Sequence, residues 1–182
     1  MNITNKQFDE VTAICKKVFA DKLQDYGASW RILRPTSVTD QIFIKAKRIR
    51  TLEIKKESKV DEGIFSEFIG IVNYGLIGLI QLELGYSDTV DISTDKAIEM
   101  YDKYLKFTVS LMNAKNHDYD EAWRSMRVSS YTDLILTKIY RTKEIESNDG
   151  LTIASEGIDA NYMDMINYAL FGLIKLHFPE DN

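Results

Sequence analysis

The sequence predicts an all-α fold: a helical bundle of about six main helices formed by two pseudo-symmetric three-helix repeats. Three observations carry this expectation. Apolar residues recur at helical spacing through most of the chain, and no alternating run of useful length marks a strand. Only two prolines, Pro35 and Pro179, occur in 182 residues, which leaves long stretches free to be helical. The chain also aligns on itself. A shift of 93 pairs Lys22 with Lys115, Asp25 with Asp118, Tyr26 with Tyr119, Trp30 with Trp123 and Arg31 with Arg124. The same shift pairs Asp40 with Asp133, Lys45 with Lys138, Arg48 with Arg141 and Glu53 with Glu146. One inserted residue then moves the shift to 94, pairing Glu62 with Glu156, Asn73 with Asn167, Tyr74 with Tyr168 and Gly78 with Gly172.

The repeat divides the chain into residues 1–90 and 91–182, expected to be one compact unit with a shared core, because two like units bury like patches. In each unit the first helix is expected from about Lys6 to Asp25, with Phe8, Val11, Cys15 and Phe19 on one side. Its counterpart starts after Ser93-Thr94-Asp95, residues suited to an N-cap. A loop bearing Trp30 or Trp123 leads to a second helix, expected to open at Thr39-Asp40 or Thr132-Asp133. The third helix is expected over Asp61–Leu84 and again over Ser155–Phe178. Its C-terminal half (Leu76, Ile77, Leu79, Ile80, Leu82) is apolar almost all round and so belongs at the centre.

Composition narrows the function classes. The single cysteine, Cys15, excludes an internal disulfide and any cysteine-based zinc or iron–sulfur site. No run approaches the 18 or so consecutive apolar residues of a membrane span, and residues Met1–Lys6 lack the layout of a secretory signal, so a cytoplasmic protein without membrane contact is expected. A net charge of −5 disfavours nucleic acid as a partner. The basic stretch Lys45–Lys59 is read chiefly as a solvated helix face. No glycine-rich phosphate loop or nucleophile-elbow motif occurs.

Polar identities between the halves single out candidate residues, since packing alone explains them less readily than apolar ones. Lys45 and Arg48, with Lys138 and Arg141, lie three apart on one helix face and suit a phosphate or carboxylate; the plainer reading is an ion pair with Glu53 or Glu146. Glu62 and Asn73, with Glu156 and Asn167, lie about three turns apart on a central helix, Ser66 falling between the first pair. Glu62 and Glu156 are the catalytic or metal candidates, Asn73 and Asn167 the ligand-binding ones; a helix-terminal charge and a satisfied core amide are the plainer alternatives. Tyr26, Trp30, Tyr119 and Trp123, with the neighbouring Arg31 and Arg124, offer stacking for a base, or else a structural plug. Glu53, Glu57, Glu62 and Glu67 face a differently spaced set, Glu144, Glu146, Glu156 and Asp164, in the second half. Magnesium is the cofactor such carboxylates admit.

The pattern Asp25-Tyr26-Gly27…Trp30, Asp40-Gln41-Ile42…Lys45…Arg48, Glu62-Gly63-Ile64…Asn73-Tyr74 resembles a bacterial and phage family, nucleotide modification associated domain type one, in two tandem copies. The second copy has Asp120 where the motif has glycine. In helical layout alone the chain is similar to all-α nucleoside triphosphate pyrophosphohydrolases, but neither half keeps their carboxylate quartet. The resemblance implies a nucleotide-binding protein associated with nucleotide or modified-base metabolism, with phosphate-bond or base-modifying chemistry as its enzymatic form. The alternative is a non-catalytic helical module for protein interaction or homo-oligomerisation.

Overall fold

The computed structural model describes residues 2–57 and 63–181. Six helices follow in order: α1 (Ile3–Tyr26), α2 (Pro35–Lys55), α3 (Ile64–Leu84), α4 (Thr94–Tyr119), α5 (Val128–Ser147) and α6 (Ile158–His177). Short 3-10 turns occupy Ser29–Ile32, Ala122–Ser125 and Pro179–Asp181, and no strand occurs among the described residues. The fold is all-α, as expected.

Local chemistry explains the helix ends. Asn2 caps α1 by accepting from the Thr4 amide, so the helix starts a turn before Lys6. Ser93 caps α4 in the same way through Lys96. The second helix of each unit begins earlier than Thr39-Asp40 or Thr132-Asp133. Pro35 opens α2, where its fixed φ suits the first turn and its missing amide donor costs nothing. Thr39 therefore lies inside the helix, with its hydroxyl 3.2 Å from the Pro35 carbonyl. In the second half α5 starts at Val128. Gly27 ends α1 with φ 67°, and its equivalent Asp120 ends α4 in the left-handed region, which a short polar side chain tolerates.

The centre of the bundle is the crossing of α3 and α6. A Cβ at Gly78 would lie 2.8 Å from the Tyr162 ring, and one at Gly172 would lie 3.0 Å from the Phe68 ring. Gly78 aligns with Gly172 and Phe68 with Tyr162, so the two contacts are the same contact made twice. That reciprocity is what a twofold relation between the halves requires. The α2–α5 seam repeats it. Thr39 donates to Glu146 at 2.7 Å, and Thr132 hydrogen-bonds Glu53. Lys143 meets Asp40 at 3.1 Å, and Arg50 meets Asp133 at 4.0 Å. Glu53 and Glu146 thus reach across to the opposite half, not to Lys45 or Arg48 of their own helix or to Lys138 or Arg141.

Leu76, Leu79, Ile80, Leu170, Leu173 and Ile174 are all buried in one core drawn from both halves. Among the described residues α3 is the one helix long and apolar enough to cross a membrane (mean hydropathy 1.4), but 72% of that stretch is buried within the fold. It is a core helix by its packing. Each tryptophan-bearing turn is tied to this core by a polar residue near the end of the central helix. The Gln81 side chain donates to the carbonyls of Trp30, Arg31 and Leu33. In the second half the equivalent Lys175 donates to those of Arg124 and Met126.

Two predictions follow from this packing. Leu76→Ala and Leu170→Ala, at equivalent and fully buried positions, are each expected to cost about 2–5 kcal/mol in urea denaturation, within one transition that both halves share. Burial, more than any other influence, pushes the carboxyls of Glu53 and Glu146 above their ordinary value. A carboxyl raised on folding contributes stability that is complete below its unfolded value and is lost as pH rises through its folded value. The Glu53→Gln/Glu146→Gln double variant, which imitates the protonated pair, should therefore gain stability relative to wild type as pH rises above the ordinary carboxyl range, from about pH 4 upward. Wild type gaining on the variant over that window would contradict the assignment.

Candidate functional site

Lys45 and Arg48 face α3, as residues three apart on one helix must when one of them does. Their partner is Glu67, a buried carboxylate: Arg48 donates to its Oε1 at 2.8 Å and Lys45 Nζ stands 3.7 Å from its Oε2. Lys45 also passes over Gly70, one turn beyond Glu67. A Cβ there would come within 2.5 Å of Lys45 Cδ and 2.6 Å of Cε. Glycine at this position lets the lysine stem lie flat against α3 and carry its ammonium to within 5.7 Å of the Tyr74 ring centroid. The order of these contacts, Arg48 to Glu67 and Lys45 to Gly70, makes the two helices antiparallel.

That ammonium enters a cavity of about 440 Å³ enclosed by the end of α1, the Ser29–Ile32 turn, α2 and α3. Lys22, Tyr26, Trp30, Lys45, Glu67 and Tyr74 give it its chemical character, with Phe19, Leu23 and Ile77 as apolar wall. Burial, and to a lesser extent the neighbouring Tyr26, raise the Tyr74 hydroxyl above its ordinary value, so it is a neutral donor and acceptor at physiological pH. The Trp30 indole N–H is buried without a hydrogen-bond partner among the described residues. Asn73 borders the cavity, but its amide is already engaged: it donates to the Cys15 carbonyl at 3.1 Å and accepts from Tyr101 at 2.7 Å. The Cys15 thiol, raised to about 12 by burial, is inert.

The second half is arranged differently. Lys138 pairs with Asp164 at 2.7 Å and Lys115 reaches the same carboxylate at 3.2 Å. Trp123 is covered by Phe171, stacked at 4.6 Å between centroids with 7° between planes, and the Arg124 guanidinium lies 4.4 Å from its ring centroid. Tyr119 is exposed. Asn167 is buried with its Oδ1 unpartnered among the described residues. Lys138, Arg141 and Glu156 border an open groove formed with the 148–156 segment, apart from Trp123 and Tyr119.

The structure therefore gathers Tyr26, Trp30, Lys45 and Asn73 about one cavity, while Arg48 stands behind Glu67 and outside it. Glu62, with Lys59 and the expected helix start at Asp61, lies outside the described residues. Arg31, the neighbour of the candidate stacking residue Trp30, is buried and points away, with Nε 2.8 Å from Asp91 and further bonds to Gln81 and the Gly85 carbonyl. Arg124 likewise bonds Glu121, Thr4 and Gln7. Among the described residues no three of His, Cys, Asp and Glu group as a metal site. Lys22 and Tyr74 were repeat identities never joined to the site. Glu67 is read from the sequence only as one of a possible metal-binding acidic set, and its pairing with Arg48 and Lys45 over Gly70 is not legible because both Glu67 and Gly70 differ between the halves. The available signal was their exchange: Glu67 becomes Asn161 while Gly70 becomes Asp164, a carboxylate moved one turn along the same helix face.

Comparison with protein families gives one match: the family described as nucleotide modification associated domain 1, at residues 22–82 and again at 115–176. Neither curated proteins nor solved structures give a match.

The two asparagines generate a paired prediction. Asn73→Ala removes both hydrogen bonds of a buried amide and leaves the Tyr101 hydroxyl without its acceptor, at an expected cost of about 1–3 kcal/mol. Asn167→Ala should cost less, since its side-chain oxygen is already unpartnered among the described residues. Chemical denaturation of the two variants side by side measures the difference.

Proposed function

The chain belongs to the nucleotide modification associated domain 1 family in both its halves, and from that premise we propose that its first half binds a nucleotide in the cavity between α1, α2 and α3. The observation that carries this reading is the joint presence of two lysines and three aromatic side chains, Lys22, Lys45, Tyr26, Trp30 and Tyr74, around one opening of about 440 Å³. A nucleotide has a flat, stackable base at one end and an anion at the other, and this lining offers a surface for each. The cavity volume falls in the range of small-molecule sites, and the chain's overall negative charge favours a small ligand held locally over a polynucleotide backbone.

Among the described residues Glu67 is the carboxylate that borders the cavity. Held by Arg48 and facing Lys45, it is a well-oriented hydrogen-bond acceptor for the N–H groups of a base or the hydroxyls of a sugar. Magnesium, if used, would enter with the phosphates of the ligand, since it commonly binds through one or two carboxylates plus substrate phosphates.

Calorimetric titration of nucleoside mono-, di- and triphosphates, with and without magnesium, tests the reading. Wild type is expected to saturate, and Lys45→Ala to bind roughly tenfold or more weakly, the scale of one lost charge-assisted hydrogen bond. Tyr26→Ala should weaken binding without changing its salt dependence. Wild type that takes up no nucleotide at millimolar concentration would end the proposal.

A further inference from the structure

The two halves use the same lysine pair in opposite ways. Lys22 and Lys45 align with Lys115 and Lys138. In the second half both ammonium groups converge on one carboxylate, Asp164, at 3.2 Å and 2.7 Å. Asp164 stands at the position of Gly70, so the first half has no carboxylate at that place, and the Lys45 stem lies against the glycine. There Lys22 makes no ion pair among the described residues, and Lys45 approaches Glu67 at 3.7 Å. Two cations bordering one cavity are held in place more favourably when an anion sits between them. The second half provides its own anion, covalently attached and largely sheltered from solvent, with an Asp164 side chain 15% exposed. The first half provides none at that point, and has a cavity instead.

We infer that Lys22 and Lys45 hold the phosphoryl group of the ligand in the cavity they both border, the ligand supplying the anion that Asp164 supplies to the equivalent lysines in the second half, and that each chain therefore binds one ligand. This rests on the reading of the first-half cavity as a ligand site. A second difference points the same way. Ile77 is replaced in the second half by Phe171, whose ring stacks on Trp123. The space beside that tryptophan is filled from within the chain, as the space between the lysines is. Gly70 acts as a specificity determinant in this arrangement. Without a side chain it lets the Lys45 stem lie against α3 with its ammonium at the cavity, and a carboxylate in its place would satisfy the pair internally.

Titrations with inorganic pyrophosphate, malonate and deoxynucleoside monophosphates test the inference on the full chain. Wild type should bind one pyrophosphate per chain. Lys22→Ala, a surface change, and Gly70→Asp, which imports the residue of the second half, should each weaken it roughly tenfold or more. Asp164→Gly should raise the stoichiometry to two. Circular dichroism and melting of each variant exclude loss of fold, and Lys22→Ala keeps the test decisive if Gly70→Asp fails to fold. Pyrophosphate binding that neither first-half variant weakens overturns the anion site. Malonate binding as tightly as pyrophosphate overturns the phosphoryl assignment. A stoichiometry that stays at one in Asp164→Gly overturns the role given to that carboxylate. Pyrophosphate binding without nucleotide binding upholds the anion site and removes the nucleotide reading. Nucleotide binding indifferent to Lys22→Ala and Gly70→Asp does the reverse.

Discussion

The close crossing of α3 and α6, where a glycine of each helix receives an aromatic ring of the other, governs the remaining architecture. Gly78 against Tyr162 and Gly172 against Phe68 bring the two most apolar helices within side-chain reach along their length. Tyr162 then links this crossing to the outer layer, because its hydroxyl lies 2.7 Å from that of Thr39 and donates to the Pro35 carbonyl. The first turn of α2 is in this way tied to α6 of the other half. Interiors packed to crystal-like density leave little slack for such contacts to loosen one at a time. The halves consequently share a core.

With that core shared, the outer helices are free to diverge. The cavity of the first half is built where α1, α2 and the Ser29–Ile32 turn meet the solvent-facing side of α3, away from the glycine crossing. Its second-half equivalent has gained Asp164 and Phe171 while the crossing residues stayed glycine and aromatic. Gln81 and Lys175 show the same tolerance. A neutral amide and an ammonium perform the same task, donating to the carbonyls of the tryptophan turn, and only the first half adds the Arg31–Asp91 ion pair beside it. The equivalent Arg124 instead reaches α1 through Thr4 and Gln7. A duplicated unit can thus keep its fold in both copies and an open pocket in one.

Much of this was legible in the residues. Helical spacing identified every main helix, and the self-alignment paired Gly78 with Gly172 and marked Lys45, Tyr26 and Trp30 before any contact was known. Helix starts were less legible. Pro35 reads as a breaker unless it is recognised as a first-turn residue, and the 3-10 turn at Trp30 has no periodicity of its own. Glu53 looked like the partner of Lys45 and Arg48 because all three share a helix. It bonds Thr132 across the seam instead, a contact that depends on how α2 and α5 are rotated against each other.

By itself the sequence determined the helical class, the twofold repetition and the identity of the central helices, because each follows from periodicity and composition along a single chain. Only the tertiary structure decided which charges meet. It assigned Glu67 to Arg48 and Lys45, turned Arg31 away from the cavity toward Asp91, engaged Asn73 with Cys15 and Tyr101, and brought Lys115 and Lys138 onto Asp164. The physical reason is that an ion pair or hydrogen bond depends on the rotation and axial offset of two helices, and neither is encoded in the spacing along one of them. Searching for identities between the halves also discards the positions where they differ. At Glu67 and Gly70 that difference separates an open lysine pair from a closed one.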